Sequence, residues 1–277
     1  IIRHYKKKIS SNIYKLDQYI AIHINDTHPA LVVPELMRIL MDEEGLPWDD
    51  AWKITVRTVA YTNHTVLPEA MEKWPIAMFK DFLPRIYLII EEINRRVLQD
   101  VRKDFPSDEA MSSNVAILWD GQVHMAHLAV VGSHSINGVA EIHSQILKDS
   151  TLHQLYRCFP TRFSNKTNGI THRRWLIQSN PQLAGLLDDT IGPGWHKTPS
   201  QLIRFARYAD DTSVRQALDQ VKQTRKEILA KYLSDKYDIA IDPMSIFDVQ
   251  IKRIHMYKRQ LLDIFHVLHM YFKIKEN

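Results

Sequence analysis

The segment that decides the fold class is YIAIHI at residues 19–24, followed by NDTHP at residues 25–29. The first run is short and rich in β-branched residues, which favours a strand. Asp26 or Thr27 can cap a helix whose first turn contains Pro29. A strand that leads into a helix through a polar turn is typical of open α/β sheets, where ligands bind at the carboxyl ends of the strands. The sequence therefore predicts an α/β fold.

Outward from this segment, the chain reads as mostly helical with two further strands. Apolar residues keep helical spacing over residues 84–103, for example. Helices are also expected over residues 48–61, 69–74, 125–131, 136–147, 212–233 and 255–274 and from Pro181 onward, and strands over residues 115–119 and 246–251. The polar, turn-rich stretch at residues 159–171 predicts a domain boundary.

Composition restricts the class of protein. The 277 residues are 45% hydrophobic and 25% charged, which is ordinary for a globular protein and excludes a disordered or fibrous one. Apolar runs are too short for a membrane helix, so no membrane association is expected. A net charge of +4 gives only a weak field, and we expect no nucleic-acid binding.

The single cysteine, Cys158, excludes an intramolecular disulfide framework and a cysteine-based zinc site. It fits a reducing compartment, and we expect a cytoplasmic protein. The chain starts at Ile1 without a methionine or a signal peptide, and it stops inside a helical pattern. We therefore expect a piece of a longer protein.

The densest group of charges is KRIHMYKR at residues 252–259, at the predicted junction of a strand and a helix. A helix N-terminus favours an anion, and the Arg253 guanidinium can bind two phosphate oxygens at once. An oxyanion site is one interpretation. A solvated basic turn, or ion pairs to distant carboxylates, is the other, and spacing alone leaves both open.

Four histidines fall close together in the sequence: His124, His127, His134 and His143. His124 and His127 could share one helical face and bind a metal. No carboxylate or cysteine completes a known ligand pattern, so we interpret these histidines as structural and expect no metal.

Two polar stretches can serve either as turns or as binding loops. Asp26 and His64 lie in two different turns, and the fold could bring these two polar side chains together. The second, NKTNGIT at residues 165–171, could hydrogen-bond sugar hydroxyls or simply turn the chain, and the following Arg173-Arg174-Trp175 combines charge with a flat ring. The alternatives for Asp26 and His64 are a helix cap and a satisfied loop.

Five long segments together resemble the α-glucan phosphorylases, the glycogen and maltodextrin phosphorylase family. They are NDTHPALVVPELMRIL from Asn25, AYTNHTVLPEAMEKWP from Ala60, HMAHLAVVGSHSINGVAEIHS from His124, NKTNGITHRRW from Asn165 and FDVQIKRIHMYKRQLL from Phe247. They occur in the family's order and cover almost the whole chain. The chain is similar to roughly the middle third of such an enzyme.

This resemblance implies a two-domain, GT-B-like glycosyltransferase with its active site in the cleft between the domains. Residues 1–166 would close the N-terminal glucan-binding and catalytic domain, and residues 167–277 would start the C-terminal, Rossmann-like cofactor-binding domain. The implied transferase reaction of glycogen metabolism is cleavage of α-1,4-glucan by inorganic phosphate, which releases α-glucose 1-phosphate with retention. The implied cofactor is pyridoxal 5'-phosphate, whose phosphate group relays the proton. An allosteric homodimer is implied for the full-length enzyme.

The resemblance also assigns residues. Arg253 and Lys258 match ligands of the substrate phosphate, Lys252 lies beside the cofactor phosphate, Tyr257 is near the glucosyl ring, and Trp175 is near the pyridoxal ring.

In the first half of the chain, His64 and Asn168 match groups that hydrogen-bond the sugar. Asp26 and Glu69 match residues that line the glucan approach.

Three departures from the family pattern bear on activity. The lysine that binds the cofactor covalently would lie beyond Asn277, so we expect residues 1–277 alone to be inactive. Met256 stands where the family usually has Glu, and His172 stands where it usually has Pro. The alternative function is a non-catalytic carbohydrate- or anion-binding protein that retains the phosphorylase fold.

Overall fold

A computed structural model describes residues 1–276, in two compact units. The first unit is Ile1–Asn168, and the second begins at Gly169. None of the helices in the described part of the chain is long and apolar enough to cross a membrane. The assignment of the two units to a glucan-binding and a cofactor-binding domain stays a prediction.

The first unit contains ten α-helices and seven strands among the described residues. The helices are α1 (Ile2–Lys8), α2 (Leu16–Tyr19), α3 (Val32–Arg38), α4 (Trp48–Thr58), α5 (Ile76–Phe82), α6 (Pro84–Asp104), α7 (Glu109–Val115), α8 (Met125–Val131), α9 (Glu141–Ile146) and α10 (His153–Cys158). The strands are β1 (Ile22–Asn25), β2 (Val59–Thr62), β3 (Lys73–Pro75), β4 (Leu118–Trp119), β5 (Gln122–His124), β6 (Ser135–Gly138) and β7 (Phe163–Asn165). Turns of π-helix at Ile39–Glu43 and Leu147–Thr151 extend α3 and α9.

Four of these strands form a parallel sheet in the order β1-β2-β6-β7. Asn25 aligns with Thr62, Thr62 with Asn137, and Asn137 with Ser164. The four strands therefore end at the same edge, which is called the carboxyl edge below. A second, antiparallel sheet has the order β3-β5-β4. The predicted α/β class is confirmed.

The core of the first unit forms where helices cover the parallel sheet. Ile24, Tyr61 and Ile136, one from each of three adjacent strands, are fully buried. Helix α6 contributes an apolar stripe at helical spacing that includes Ile86 and Ile93. Full burial of one such side chain stabilises a fold by about 1.5–3 kcal/mol.

The second unit has helices α11 (Pro181–Ile191), α12 (Thr212–Tyr237) and α13 (Gln260–Glu276). Shorter helical turns lie at Arg173–Gln178, Pro193–His196, Pro199–Tyr208 and Met256–Lys258. Its buried core is small and consists of Ala184, Leu187 and Trp195. Side chains start two of the helices: Asn180 accepts a hydrogen bond from the Leu183 amide, and Asp211 accepts from the Ser213 and Val214 amides.

Several predicted helices are confirmed: α6 and α8 have the expected extents, α11 begins at Pro181, and α12 continues past residue 233 to Tyr237. The predicted cap was wrong. Helix α3 begins at Val32, because residues 27–31 form turns such as the one closed by the Ala30 amide and the Thr27 carbonyl. Asp26 has a φ of 65°, and its carboxylate accepts from the Thr27 amide instead.

Two other helix predictions were correct only in part and one was wrong, in each case where a short segment forms a strand instead. The helix predicted over residues 48–61 ends at Thr58, and β2 follows. The one predicted over residues 69–74 is replaced by a 3-10 turn at Pro68–Ala70 and by β3, and the one over residues 136–147 begins as β6. Over only four residues, the periodicity of apolar residues does not distinguish a strand from a helix. Pairing with neighbouring strands determines which of the two forms.

The strand predictions were correct only in part. The first strand starts at Ile22 because α2 occupies Leu16–Tyr19, and the one predicted over residues 115–119 is reduced to β4 because α7 extends to Val115. The strand predicted over residues 246–251 was wrong: these residues have no assigned strand, and Ile246 is 95% exposed. The helix predicted from residue 255 starts at Gln260, after Arg259 with a φ of 57°.

Candidate functional site

The carboxyl edge of the parallel sheet is lined with amide, hydroxyl and imidazole groups. Asn25, Thr62 and Asn137 occupy aligned positions on three adjacent strands. The Thr62 hydroxyl donates to Asn137 Oδ1 at 2.8 Å and therefore accepts from His23 Nε2 at 2.6 Å. This edge is where open α/β sheets bind ligands, because all the strands end there.

His64 stands two residues beyond the end of β2, with its side chain exposed. Its Nε2 lies 2.6 Å from Asn25 Oδ1, an acceptor, so His64 donates this hydrogen bond. A neutral imidazole that donates through Nε2 keeps a lone pair on Nδ1. His64 can thus accept a hydrogen bond from a hydroxyl group.

Asn168 reaches the same edge through the chain that follows β7. The Lys166 amide donates to the Gly138 carbonyl at 3.1 Å, and the Asn168 amide donates to the Val139 carbonyl at 3.0 Å. These bonds hold the residues after β7 alongside those after β6 and leave the Asn168 side chain exposed. Asp26, His64 and Asn168 therefore follow strands that end at the same edge, and their roles toward a sugar stay predictions.

Glu72, which the sequence interpretation did not name, contacts the loop that follows β1. Glu72 accepts a hydrogen bond from the buried Thr27 hydroxyl at 2.9 Å and lies 3.2 Å from His28 Nδ1. It also accepts from Trp74 Nε1 at 3.0 Å. Glu72 thus holds the loop after β1, whereas Glu69 is exposed and has no hydrogen-bonding or charged partner among residues 1–276.

In the described part of the chain, the basic segment, defined as residues 252–259, forms hydrogen bonds only within itself and to residues 260–263. His255 Nδ1 accepts from the Tyr257 amide at 3.3 Å, and the two rings lie 4.4 Å apart. Gln260 Nε2 donates to the Arg253 carbonyl at 3.0 Å. The Lys258 ammonium lies 5.6 Å from the centre of the Tyr257 ring. Lys252, Arg253 and Tyr257 are exposed.

The cations of this segment lack counter-ions. Within the described residues 1–276, no carboxylate lies within 4.0 Å of Lys252, Arg253, Lys258 or Arg259. Met256, at the usual glutamate position, supplies none. The ion-paired interpretation therefore finds no support in this part of the chain, and the cations are free to bind an anion.

Trp175 is 74% exposed on the π-helical turn Arg173–Gln178. Among the residues described, its ring stacks on no other aromatic and contacts no cation. The neighbouring Arg173 and His172 instead bond to the His196 carbonyl, each at 3.2 Å. Trp175 thus offers an uncovered aromatic face, and the residues before it fasten the turn to the small core.

His124 and His127 do not form a metal centre in the described part of the chain, where no group of three metal-ligating side chains occurs. His127 donates through Nδ1 to the Ala116 carbonyl at 2.8 Å. Burial lowers the pKa of His124 to about 4, with smaller contributions from His127 and Lys73. Both imidazoles are therefore neutral near pH 7, and their pKa values reflect burial in the fold.

These observations define an α/β protein whose first unit has hydrogen-bonding groups at a parallel sheet edge and whose second unit has a cationic segment without a carboxylate partner among residues 1–276. The chain belongs to the carbohydrate phosphorylase family, whose model matches residues 1–277. This confirms the family prediction.

Three relatives show how much of such proteins the chain represents. It is 50% identical over 277 residues to a glycogen phosphorylase of Bacillus subtilis, covering 100% of this chain and 35% of that protein. It is 47% identical over 263 residues to a glycogen phosphorylase of Synechocystis, covering 94% and 31%. It is 46% identical over 286 residues to the muscle-form glycogen phosphorylase of Oryctolagus cuniculus, covering 100% and 34%. The chain thus spans about a third of the length of these relatives.

Proposed function

We propose that this chain is part of a glycosyltransferase, an α-glucan phosphorylase. The enzyme cleaves α-1,4-glucan with inorganic phosphate and releases α-glucose 1-phosphate with retention. The observation that carries the proposal is the pairing of two chemistries in one family member. The first unit has a hydrogen-bonding edge, and the second has a basic segment whose cations have no carboxylate partner among residues 1–276. The first suits sugar hydroxyls, and the second suits phosphate.

In this proposal, His64 and Asn168 hydrogen-bond the glucosyl unit. Asp26 and Glu69 line the approach of the glucan. Fixed amide and imidazole groups align a sugar without reorganising during the reaction, which lowers the barrier. The bond from His64 to Asn25 and the backbone bond of Asn168 provide such fixation.

The basic segment supplies the charge that phosphorolysis requires. Arg253 and Lys258 bind the substrate phosphate, Lys252 lies beside the cofactor phosphate, and Tyr257 is placed near the glucosyl ring. Positive charge develops on the sugar in the transition state while anionic oxygens approach it, so cations must hold these anions in position. The fork of Arg253 suits this task better than a point charge does.

The proposed cofactor is pyridoxal 5'-phosphate, and the donor set fits it. Lysine and arginine side chains that have no carboxylate partner among residues 1–276 match its phosphate, and the exposed indole of Trp175 matches its flat ring. When bound, the cofactor phosphate supplies a proton relay. The lysine that would bind the cofactor covalently is placed outside residues 1–277, so the isolated chain is inactive in this proposal.

The remaining parts of the proposal come from the family. The first part is a GT-B-like architecture, with residues 1–166 in the glucan-binding domain and residues 167–277 in the cofactor domain. The others are an allosteric homodimer for the full-length enzyme and a cytoplasmic role in glycogen metabolism. The name of the relatives, glycogen phosphorylase, supports the role in glycogen metabolism.

The test is a chimaeric enzyme in which this chain replaces the matching residues of the Bacillus subtilis relative. We expect phosphate-dependent release of glucose 1-phosphate from α-1,4-glucan by the chimaera and none by residues 1–277 alone. A folded chimaera that binds glucan but releases no glucose 1-phosphate would favour the alternative, a non-catalytic carbohydrate-binding protein.

A further inference from the structure

We propose that His143 is a positioning residue, whose neutral imidazole fixes the Asn63 side chain and thereby the turn that presents His64. His143 lies on α9, 80 residues beyond Asn63 in the sequence. Its contacts are internal to the first unit. The effect on the sugar rests on the proposed function, whereas the hydrogen-bond network does not.

The donors and acceptors around His143 define its tautomer. The Val139 amide donates to Nδ1 at 3.1 Å, so Nδ1 carries a lone pair. Nε2 lies 2.9 Å from Asn63 Oδ1 and must carry the proton, because an amide oxygen only accepts. His143 therefore bridges two groups in a way that needs its neutral Nε2–H form. Burial lowers the pKa of His143, with a smaller contribution from His64, which favours that form at neutral pH.

Asn63 is completely buried, and each atom of its amide group has a partner. Its Oδ1 also accepts from the Thr65 amide at 2.9 Å, and its Nδ2 donates to the Tyr61 hydroxyl at 2.9 Å. The bond to Thr65 closes a turn around His64. The only residue between the two anchored ones is His64, so its orientation depends on how firmly Asn63 is held.

Loss of the His143 bond would leave Asn63 Oδ1 with a single donor in a buried site. The carboxamide could then rotate, and the turn would open more often. Protonation of His143 would have a similar effect, because Nδ1–H would face the Val139 N–H group as a second donor. The charged form of His143 is thus incompatible with the observed arrangement.

Two substitutions separate the contacts of His143. In His143→Gln the side-chain NH2 can replace Nε2–H and donate to Asn63, whereas in His143→Asn the side-chain oxygen can replace Nδ1 and accept from Val139. His153→Asn is the matched control, since His153 is exposed and its side chain hydrogen-bonds only to the Lys148 carbonyl among residues 1–276.

The first measurement is amide hydrogen exchange in residues 1–277, read at Thr65 relative to Tyr61. We expect exchange at Thr65 to be about tenfold faster in His143→Asn, as the loss of one hydrogen bond of about 1.4 kcal/mol predicts, and nearly unchanged in His143→Gln and His153→Asn. Equal exchange at Thr65 in all variants would overturn the proposal. So would a nitrogen NMR spectrum of the unmodified chain with the His143 proton on Nδ1, a measurement that does not depend on any variant folding.

The second measurement is the activity of the chimaera. We expect kcat/KM for glucan to fall about tenfold in His143→Asn and to recover in His143→Gln. An unchanged kcat/KM in His143→Asn, with faster exchange at Thr65, would refute the positioning role. If the unmodified chimaera folds and is inactive, the proposed function is wrong. The hydrogen-exchange and NMR results still show whether the hydrogen bonds of His143 hold Asn63 as proposed.

Discussion

The polar groups of the carboxyl edge in the first unit and of the basic segment in the second unit differ in burial and in whether they have partners. At the edge, Thr62 and Asn63 are buried and hydrogen-bonded to other side chains of the edge. In the basic segment, Arg253 is exposed and has no carboxylate partner among residues 1–276. The polar groups of the edge therefore satisfy one another within the first unit, whereas the charge of Arg253 is left without a neighbouring carboxylate in the described part of the chain.

The largest expected difference between the two regions is in amide hydrogen exchange of residues 1–277. Tyr61 lies on the central strand β2, paired on both sides and fully buried, whereas the Val249 amide donates to no described backbone acceptor. We expect exchange at Tyr61 to be at least ~1,000-fold slower, which corresponds to about 4 kcal/mol.

The Leu187 amide in α11 is the control for this comparison, because it belongs to the small core of the second unit. Hydrogen exchange at the Leu187 amide should be much slower than at the Val249 amide. Similar exchange at Tyr61 and Val249 would break the comparison between an ordered edge and an open segment.

The next largest effect is expected from Arg253→Ala in the chimaera. Removal of one preorganised electrostatic group typically costs about 3 kcal/mol of barrier, so kcat/KM should fall by about 100-fold or more. Arg259→Ala is the matched control within the basic segment and should cost less than about tenfold, because Arg259 has no proposed phosphate contact. Near-normal phosphorolysis by Arg253→Ala would show that the segment does not bind the substrate phosphate.

The two regions also differ in how far the sequence predicts them. The turn after β1 and the long helix α6 follow from local signals, a polar turn after an apolar run and a regular apolar stripe. The pattern at residues 246–251 was equally strand-like and failed, because a strand requires a neighbour and none pairs with it among residues 1–276. The local pattern of apolar residues indicates which secondary structure a segment can form. Whether a strand forms depends on a neighbouring strand with which it can pair.

Most of the carboxyl edge was inaccessible to sequence reasoning for a related reason. Spacing gives no sign that His143 meets Asn63 across 80 residues, or that Thr62 meets Asn137 across 75. The resemblance placed His64 and Asn168 in a sugar site but not the residues that support them. Those supports become visible only once the parallel register aligns the strand ends.

A third expected effect is a pH dependence of the first unit alone. His124 is 6% exposed, and burial lowers its pKa from 6.5 to about 4. The unfolded chain then binds the proton more readily than the folded chain, so stability is lost as the pH falls from 6.5 towards 4. Between pH 8 and pH 5 this should remove about 2 kcal/mol from the free energy of unfolding.

Chemical denaturation at several pH values, read by a probe in the first unit, measures this effect. In His124→Gln the loss between pH 8 and pH 5 should be smaller by about the same 2 kcal/mol. The low pKa of Glu92, about 2, comes from hydrogen bonds to Arg95 and Arg96 and has its effect at lower pH. An unchanged pH dependence in His124→Gln would contradict the burial of a neutral imidazole.

The smallest effect concerns His172, where the family usually has proline, and it is expected in the small core of the second unit. The backbone of His172 has a φ of −60°, which proline also adopts, and its amide has no acceptor among the described residues. In His172→Pro, the lower entropy of the unfolded chain should offset the lost bond to the His196 carbonyl, so stability should change by less than about 1 kcal/mol. His172→Ala loses the bond without that gain and should be less stable by about 1 kcal/mol.

Exchange of the Trp195 indole N–H, which is bound to Asp188 at 2.9 Å, reports on this core. If the proline variant exposed that proton more than the alanine variant, the backbone at residue 172 would be incompatible with proline, contrary to this prediction.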